Sequence, residues 1–186
     1  KRQAILKHGQ YLCEGLLPEE VNTYQQSMMI KLGEEKGDLR LILHKQLQEN
    51  VVHDTGDKLK TETTIKRWLE MKDPLLISQY GQEIALNQSG RTKTFWFDGN
   101  YYAGDDMELR IGFHLAACSF GEVCDQFSLS TAIACVEESK CFSGRFEAMK
   151  FGSYRDRPEA YARAIAHSKR IVAAIQNEEL SAFIKP

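Results

Sequence analysis

The sequence predicts an α+β protein with a helical N-terminal half, followed by an antiparallel sheet of four or five strands covered by a C-terminal helix. Two observations predict this class. In the first half, apolar residues recur at the three- and four-residue spacing of an amphipathic helix, whereas much of the second half alternates apolar and polar residues. We expect either two domains, residues 1–97 and 98–186, or a single domain, because no linker divides the chain.

The composition is that of a globular protein. The chain has 186 residues, of which 42% are apolar and 27% are charged, close to the roughly 45–50% and about 25% of typical domains. No apolar run reaches the roughly 20 residues that cross a bilayer, so we expect a soluble protein with no membrane partner. The 24 basic and 26 acidic side chains nearly cancel, which excludes a strongly basic or strongly acidic chain.

The N-terminal half is predicted to contain four helices. Pro18 suits the first turn of the second helix, and Gly33 is expected to end that helix. The third helix begins after Gly37-Asp38, and the fourth covers 61–72 with Thr61 or Thr63 as its N-cap. The residues whose spacing predicts these helices are Ile5, His8, Leu12 and Leu16; Val21, Tyr24, Met28 and Leu32; Leu39, Ile42, Leu43 and Leu47; and Ile65, Trp68 and Leu69.

The second half is predicted to be mainly strand. Residues 82–87 and 92–97 resemble two strands around a turn, and Asp98-Gly99 is the strongest hairpin signal in the chain. Further strands are expected over 108–117, 127–135 and 146–151. A long helix then begins at 156–158, with Asp156 as its cap. The residues expected on the inward face of this helix are Tyr161, Ile165, Ser168, Val172 and Ile175.

Residues 37–98 resemble a winged helix-turn-helix domain. The segment TETTIKRWLEM is similar to the recognition helix of that family, EIALNQSGRTKTFWF to its wing, and residues 37–51 to its support helix. The resemblance implies that the exposed face of the recognition helix enters a major groove while the wing contacts the adjacent backbone. The nucleic-acid-binding residues that it implies are Lys60, Thr63, Thr64, Lys66 and Arg67 on the helix, and Arg91 and Lys93 on the wing.

The local charge agrees with this resemblance. Residues 58–93 contain seven Lys or Arg side chains against four acidic ones, within a chain that is slightly acidic overall. We therefore expect a nucleic-acid-binding regulatory or accessory protein, without enzymatic activity or a cofactor, whose partner is double-stranded DNA and whose second half senses a ligand or forms a homodimer. The alternative from another class is a protein-interaction or adaptor module in which the same helix and wing are only structural.

A second alternative is a nuclease. The segment FDGNYYAGDDMELR is similar to the Asp…Glu-x-Lys signature of the PD-(D/E)xK nucleases, with Asp98 and Glu108 as the metal-binding carboxylates. The resemblance implies that both carboxylates hold Mg²⁺ at neighbouring strand ends. Arg110 stands where the family has Lys, and Arg does not readily act as a base, so an inactive relative is also expected under this hypothesis. Outside this alternative, no metal site is predicted.

Five cysteines leave three interpretations open. Cys118 and Cys124 have the same spacing as Cys135 and Cys141, while Cys13 stands apart. The pairs fit two local disulfides, and less well a zinc site, whose ligand pairs usually lie closer in sequence. The favoured interpretation is that they are buried, reduced cysteines. It places the protein in the cytoplasm or another reducing intracellular compartment.

Two further clusters suit ligand binding but also have structural explanations. Arg163, His167 and Arg170 share one face of the last helix, a pattern that suits phosphate and is equally typical of a solvated surface. The aromatic residues of 95–97 and 101–102 suit the stacking of bases, as in proteins that bind single-stranded nucleic acid. Packing in the core or across a hairpin explains the same aromatic residues.

Overall fold

The computed structural model describes residues 3–7, 23–52, 57–86, 94–103, 106–137 and 140–185, and the statements below concern these residues. The chain forms two compact units, each built from two separate stretches. The first unit consists of Lys1–Leu41 and Val123–Asp156, and the second consists of Ile42–Glu122 and Arg157–Pro186. The predicted division near residue 97 therefore falls inside the second unit.

The first unit is helical. It contains α1 (residues 3–7), α2 (Thr23–Glu35), the start of α3 (Leu39–Leu47), α7 (Leu129–Glu137) and α8 (Arg145–Ala148), which continues into a π-helical turn. The predicted second and third helices are confirmed over residues 23–35 and 39–47. The second helix continues past Gly33, however, and the chain turns at Gly37, where φ is +81°. Asp38 then caps α3 by accepting a hydrogen bond from the backbone N–H of Arg40 at 2.9 Å.

The second unit places α6 (Met107–Ala117) between two other helices, α5 (Pro74–Leu86) and α9 (Pro158–Gln176). α4 (Lys58–Met71) packs against the single-turn helix α10 (Leu180–Phe183), which also contacts the hairpin. The predicted helix near 61–72 and the predicted C-terminal helix are therefore confirmed. Their caps differ from the prediction, because Asp57 caps α4 and the N-cap position of α9 is Arg157, which makes no side-chain cap.

The hairpin predicted from Asp98-Gly99 is confirmed. Strands β1 (Thr94–Phe97) and β2 (Asn100–Ala103) pair antiparallel, and Trp96 lies opposite Tyr101. Both turn residues have positive φ, 49° at Asp98 and 84° at Gly99. Positive φ at both central residues is the signature of a type I′ turn, whose twist matches that of the flanking strands.

The predicted sheet of four or five strands is wrong, because β1 and β2 are the only sheet within the described ranges. Residues 82–86 continue α5, residues 107–117 form α6, residues 129–137 form α7, and residues 145–153 form α8 with its π-helical turn. In α6 the alternation of apolar and polar residues was misleading, because seven of the eleven residues of this helix are buried. A helix that is buried on most sides has apolar residues on most of its faces, so its sequence lacks the pattern of a one-sided helix. In α7, Thr131 and Cys135 are buried while Ile133 is 44% exposed, the burial of a helix rather than a strand.

Aromatic rings form the core of the second unit. Trp68 lies 4.7 Å from Tyr80 and 5.1 Å from Phe183, measured between ring centroids, and Tyr80 lies 5.4 Å from Phe113. Phe97 connects the hairpin to this cluster through Phe183 at 5.5 Å. Because aromatic pairs contribute about 0.5–1.5 kcal/mol each beyond the area that they bury, this cluster holds α4, α5, α6, α10 and the hairpin together.

Candidate functional site

α4 has one buried face and one polar face. Ile65, Trp68 and Leu69 are almost fully buried, as predicted. The opposite side of the helix carries exposed residues, most of them among those that the sequence predicted for nucleic-acid binding: Lys60, Thr63, Lys66, Arg67 and Glu70. The helical spacing of these residues and the packing of Trp68 in the core together turn this polar face to solvent.

The basic residues of α4 differ in their partners. Lys58 lies 4.0 Å from Glu62, and Lys60 lies 3.4 Å from Asp57, in exposed ion pairs. Lys66 and Arg67 are exposed and form no ion pair with any residue that the structure describes. Exposed ion pairs contribute at most about 1 kcal/mol, so an incoming anion can replace them at little cost.

Asp57 fixes the start of this helix. Its carboxylate accepts a hydrogen bond from the backbone N–H of Lys60 at 3.1 Å, which satisfies one of the unpaired donors of the first turn. The same hydrogen bond lowers the pKa of the Asp57 carboxyl below its usual value. Thr61, which the sequence offered as one of two N-caps, lies inside the helix, and its hydroxyl donates to the backbone carbonyl of Asn50 at 2.9 Å.

One predicted contact residue is not on the polar face. Thr64 is buried, and its hydroxyl oxygen accepts a hydrogen bond from the side-chain amide of Asn50 at 3.0 Å. Thr63 is exposed, but its hydroxyl donates to the backbone carbonyl of Leu59 at 2.8 Å. The prediction that Thr64 faces nucleic acid is therefore corrected, and α4 presents mainly cations rather than side chains that read base edges.

The predicted wing is not formed as expected. Its first strand, residues 82–87, falls largely within α5, which ends at Leu86. Asp73 begins that helix, since its carboxylate accepts hydrogen bonds from the backbone N–H groups of Leu75 at 2.9 Å and Leu76 at 3.1 Å. The tip residues Arg91 and Lys93 lie outside the described residues. β1 instead pairs with the strand that follows it.

The two carboxylates of the nuclease hypothesis lie near α9, where each has an arginine partner. Asp98 lies 2.6 Å from Arg170, and Glu108 lies 3.1 Å from Arg163. Glu108 and Arg110 are on a helix, where residues two positions apart point in roughly opposite directions, whereas on a strand they would share a face. The observed helix therefore removes the geometry on which the Glu-x-Lys comparison depends. No group of three potential metal ligands converges among the residues that the structure describes.

Arg170 links the hairpin turn to the C-terminal segment. Its guanidinium lies 2.6 Å from both Asp98 and Glu179. Hydrogen bonds to Asp98 and then to Glu179 raise the pKa of Arg170, and the bond from Arg170 lowers the pKa of Glu179. Both arginines of the predicted cluster on α9 are therefore paired with carboxylates of the same unit. No short-range pattern could have revealed the pairs with Asp98 and Glu108, because these two carboxylates are distant in sequence from α9.

His167 is half-buried between the same helix and the hairpin. Its ring centroid lies 5.3 Å from that of Tyr102 and 6.5 Å from that of Phe97. Burial lowers the pKa of His167, although the nearby carboxylates of Asp106 and Glu108 oppose this effect. Burial also raises the pKa of Tyr102. The pair is best described as packing at the junction of α9 and the hairpin.

A serine and a histidine meet between α5 and α6. The hydroxyl of Ser78 and Nδ1 of His114 are 2.8 Å apart. Ser78 is only 5% exposed, so this hydroxyl is sealed from a substrate and the bond instead joins two packed helices. His114 lies in α6, and Cys118 begins the 3₁₀ turn that follows it, so neither residue is on a strand.

Four of the five cysteines are not the reduced residues that we expected. Cys135, at the end of α7, is bonded to Cys141, and Cys118 and Cys124 are also in the disulfide form. Cys13 lies outside the described residues.

Within the described ranges, no helix is both long enough and apolar enough to cross a membrane.

Comparisons with protein-family models, with curated proteins and with solved structures found no match to this chain.

Proposed function

We propose that this protein binds the phosphate backbone of nucleic acids. The binding surface is the outward face of α4, a name that we use for Lys60, Thr63, Lys66 and Arg67. The observation that carries the proposal is that Lys66 and Arg67 are adjacent, exposed and without an ion pair among the described residues. Two such cations on a rigid helix are available to phosphate, and α4 as a whole carries four basic residues against two acidic ones.

The proposed contact is with the backbone rather than with base edges. Hydrogen bonds to phosphate position a protein on nucleic acid, while sequence is read by polar groups that reach the bases. Thr64 is buried, and the hydroxyl of Thr63 is already used as a donor, so the outward face has few groups for base readout. We therefore expect binding with little sequence preference and strong salt dependence.

The salt dependence tests the proposal quantitatively. Each phosphate neutralised in a duplex contributes about −0.9 to the slope of log K against log salt, so Lys66 and Arg67 together account for about −1.8. Binding of a fluorescent duplex is measured by anisotropy between 50 and 200 mM salt. We expect Lys66→Ala with Arg67→Ala to weaken binding at 50 mM and to make the slope less steep by about 1.8.

The matched control is Arg155→Ala with Lys169→Ala. Both residues are exposed, and the double variant loses the same charge from other parts of the surface. It should retain most of the affinity of the parent protein and nearly the same slope. Absence of binding to both duplex and single-stranded DNA at 50 mM salt, or an equal loss in the two double variants, would exclude the outward face of α4 as the binding surface.

A second candidate function, association with a protein partner, is favoured by α2. Met28, Met29 and Leu32 are 49–70% exposed and share one side of this helix, and monomeric proteins rarely expose contiguous apolar patches. We propose a second copy of the chain as the partner, since an isologous contact needs only one such patch. Light scattering after size-exclusion chromatography should show a dimer that Met29→Glu with Leu32→Glu converts to a monomer. A monomeric parent protein would rule it out.

The compartment stays a prediction. A reducing compartment requires that Cys135 and Cys141 be thiols in the cell, whereas the structure joins them. Alkylation of the protein in its own cells before any reduction, followed by mass spectrometry, distinguishes the two states. Modified thiols at both positions support the cytoplasmic prediction, and an intact linked peptide contradicts it.

A further inference from the structure

The outer face of the hairpin carries an aromatic pair that the core does not use. Because side chains alternate along a strand, Phe95, Phe97 and Tyr102 face the core, while Trp96 and Tyr101 face outward. The ring centroid of Phe95 lies 5.6 Å from that of Tyr80, and the ring centroid of Phe97 lies 6.0 Å from that of Phe113. The inner rings are therefore used in core packing. The outer rings are not part of the core, and Tyr101 remains 55% exposed.

The outer pair is held in a defined geometry. Trp96 and Tyr101 are directly opposite each other, with ring centroids 5.2 Å apart and planes at 73°. The indole N–H of Trp96 donates to the backbone carbonyl of Ser181 at 3.3 Å, which orients the ring. Tyr101 is 55% exposed, and Nζ of Lys185 lies 5.4 Å from its ring centroid. We call Trp96, Tyr101 and Lys185 the aromatic platform.

The chemistry of the platform fits a nucleobase attached to phosphate. An exposed ring offers a flat apolar surface for stacking, and the ammonium group beside it attracts an anion. Thr94 and Ala103, the other outward residues of the hairpin, are uncharged, and Lys185 places a positive charge beside Tyr101. A base in a duplex is already stacked on its neighbours, whereas an unpaired base is free to stack on Tyr101.

The platform and the proposed phosphate-binding helix both contact α10. α10 contacts α4 through Phe183, whose ring lies 5.1 Å from that of Trp68, and it contacts Trp96 through Ser181. Trp68 is on the buried face of α4, so α10 lies behind this helix as seen from Lys66 and Arg67. An oligonucleotide that contacts both surfaces must therefore span at least about 20 Å, the combined diameter of two helices.

We propose that the aromatic platform stacks unpaired bases, so that the preferred ligand of this protein is single-stranded nucleic acid. This inference rests on the proposed function, because the outward face of α4 supplies the phosphate contacts and the platform adds the contact with the base. Stacking on a protein aromatic ring strengthens binding about 5- to 150-fold, which corresponds to about 1–3 kcal/mol per base.

The test compares oligonucleotides that differ only in their bases. Anisotropy titrations of the full chain use a single-stranded thymidine oligomer and an abasic oligomer of the same length and charge. The thymidine oligomer should bind at least about 5-fold more tightly, and Tyr101→Ala should remove most of that difference while Tyr101→Phe keeps it. Lys66→Ala with Arg67→Ala should weaken binding of both oligomers by similar factors.

Phe151→Ala is the matched aromatic control. Phe151 is 52% exposed, and Nζ of Lys150 lies 5.1 Å from its ring centroid, but the ring is not on the hairpin. This variant should keep the full preference for thymidine. Because Tyr101 is exposed, its variants should fold, and circular dichroism checks this. A loss of preference in Phe151→Ala equal to that in Tyr101→Ala would overturn the assignment to the platform.

Tryptophan fluorescence gives a second readout. Trp68 is 1% exposed in the core, so Trp96 is the tryptophan that a stacked base can reach. The thymidine oligomer should quench the fluorescence and the abasic oligomer should not, and Trp96→Phe should abolish the quenching. Equal binding of the two oligomers without quenching overturns the platform and leaves the proposed function standing. Binding of neither oligomer nor duplex at 50 mM salt overturns both.

Discussion

Substitution of Gly112 by alanine tests the packing of α6 against α9. A Cβ atom at this position would lie 2.7 Å from Cβ of His167, 3.2 Å from the backbone nitrogen of Ser168 and 3.3 Å from Cδ1 of Ile171. Favourable carbon contacts begin near about 3.5 Å, so the two helices must separate by roughly 0.8 Å. Because two of these atoms belong to the backbone or adjoin it, a change of rotamer cannot relieve the clash.

Two opposing effects determine the size of the change. Alanine in a helix interior is favoured over glycine by about 1 kcal/mol. Overpacking in a close-packed region costs about 1–3 kcal/mol, and the proximity of the α9 backbone places this case near the upper value. We therefore expect Gly112→Ala to lower the free energy of unfolding by about 2 kcal/mol, which lowers Tm by about 4–8 °C.

Thermal unfolding followed by circular dichroism measures this effect. Ala162→Gly is the control, because Ala162 is exposed on α9 and its substitution reports helix propensity alone, a loss of about 1 kcal/mol. If Gly112→Ala instead raises Tm by the amount that Ala162→Gly lowers it, propensity decides the outcome. The close approach of α6 and α9 would then be refuted.

Three further predictions concern the charged residues of the second unit. Asp106 caps α6 by accepting the backbone N–H of Leu109 at 2.8 Å, so Asp106→Ala should cost about 1 kcal/mol in urea unfolding, and Asp106→Ser should retain most of the stability. Burial lowers the pKa of His167 below 6.5, so the unfolded chain takes up a proton at a higher pH than the folded protein does. The free energy of unfolding should therefore fall as the pH drops below 6.5. It should fall less in His167→Gln, which lacks the titrating ring. Arg170→Met removes both ion pairs of Arg170 and leaves its two carboxylate partners without it. The variant should therefore have a lower Tm than the parent protein at low salt. The difference in Tm should be smaller at 1 M salt, because exposed ion pairs are screened. An equal difference at both salt concentrations would contradict this last prediction.

Local signals of the sequence were sufficient where one residue type has a dominant conformational preference. Asp98-Gly99 predicted the hairpin because few dipeptides accept positive φ at both positions. Ile65, Trp68 and Leu69 predicted the buried face of α4, since this helix has one apolar side. The same reasoning predicted the C-terminal helix, where Pro158 occupies the first turn.

The strand predictions failed where burial was not one-sided. Leu109, Ile111, Phe113 and Leu115 alternate along the sequence, but Gly112, Ala116 and Ala117 are also buried. A helix enclosed by α5 and α9 has apolar residues on nearly all sides, so its pattern has no clear period. Asp106 at its start was an available signal, as a capping residue followed by Glu108 in the first turn.

The same distinction applies to the candidate surfaces. The sequence by itself placed Lys60, Lys66 and Arg67 on an amphipathic helix, and it placed aromatic residues on both sides of the predicted hairpin turn. Only the tertiary structure decided that Thr64 is buried and which rings face outward. It also decided which carboxylates the α9 arginines bind.

The physical reason is the range over which each property is determined. Turn type and helix amphipathicity depend on a few neighbouring residues, whose preferences are written in the local sequence. Exposure, ion pairing and the position of Trp96 beside Ser181 depend on contacts between residues far apart in the chain. Only folding brings those residues together.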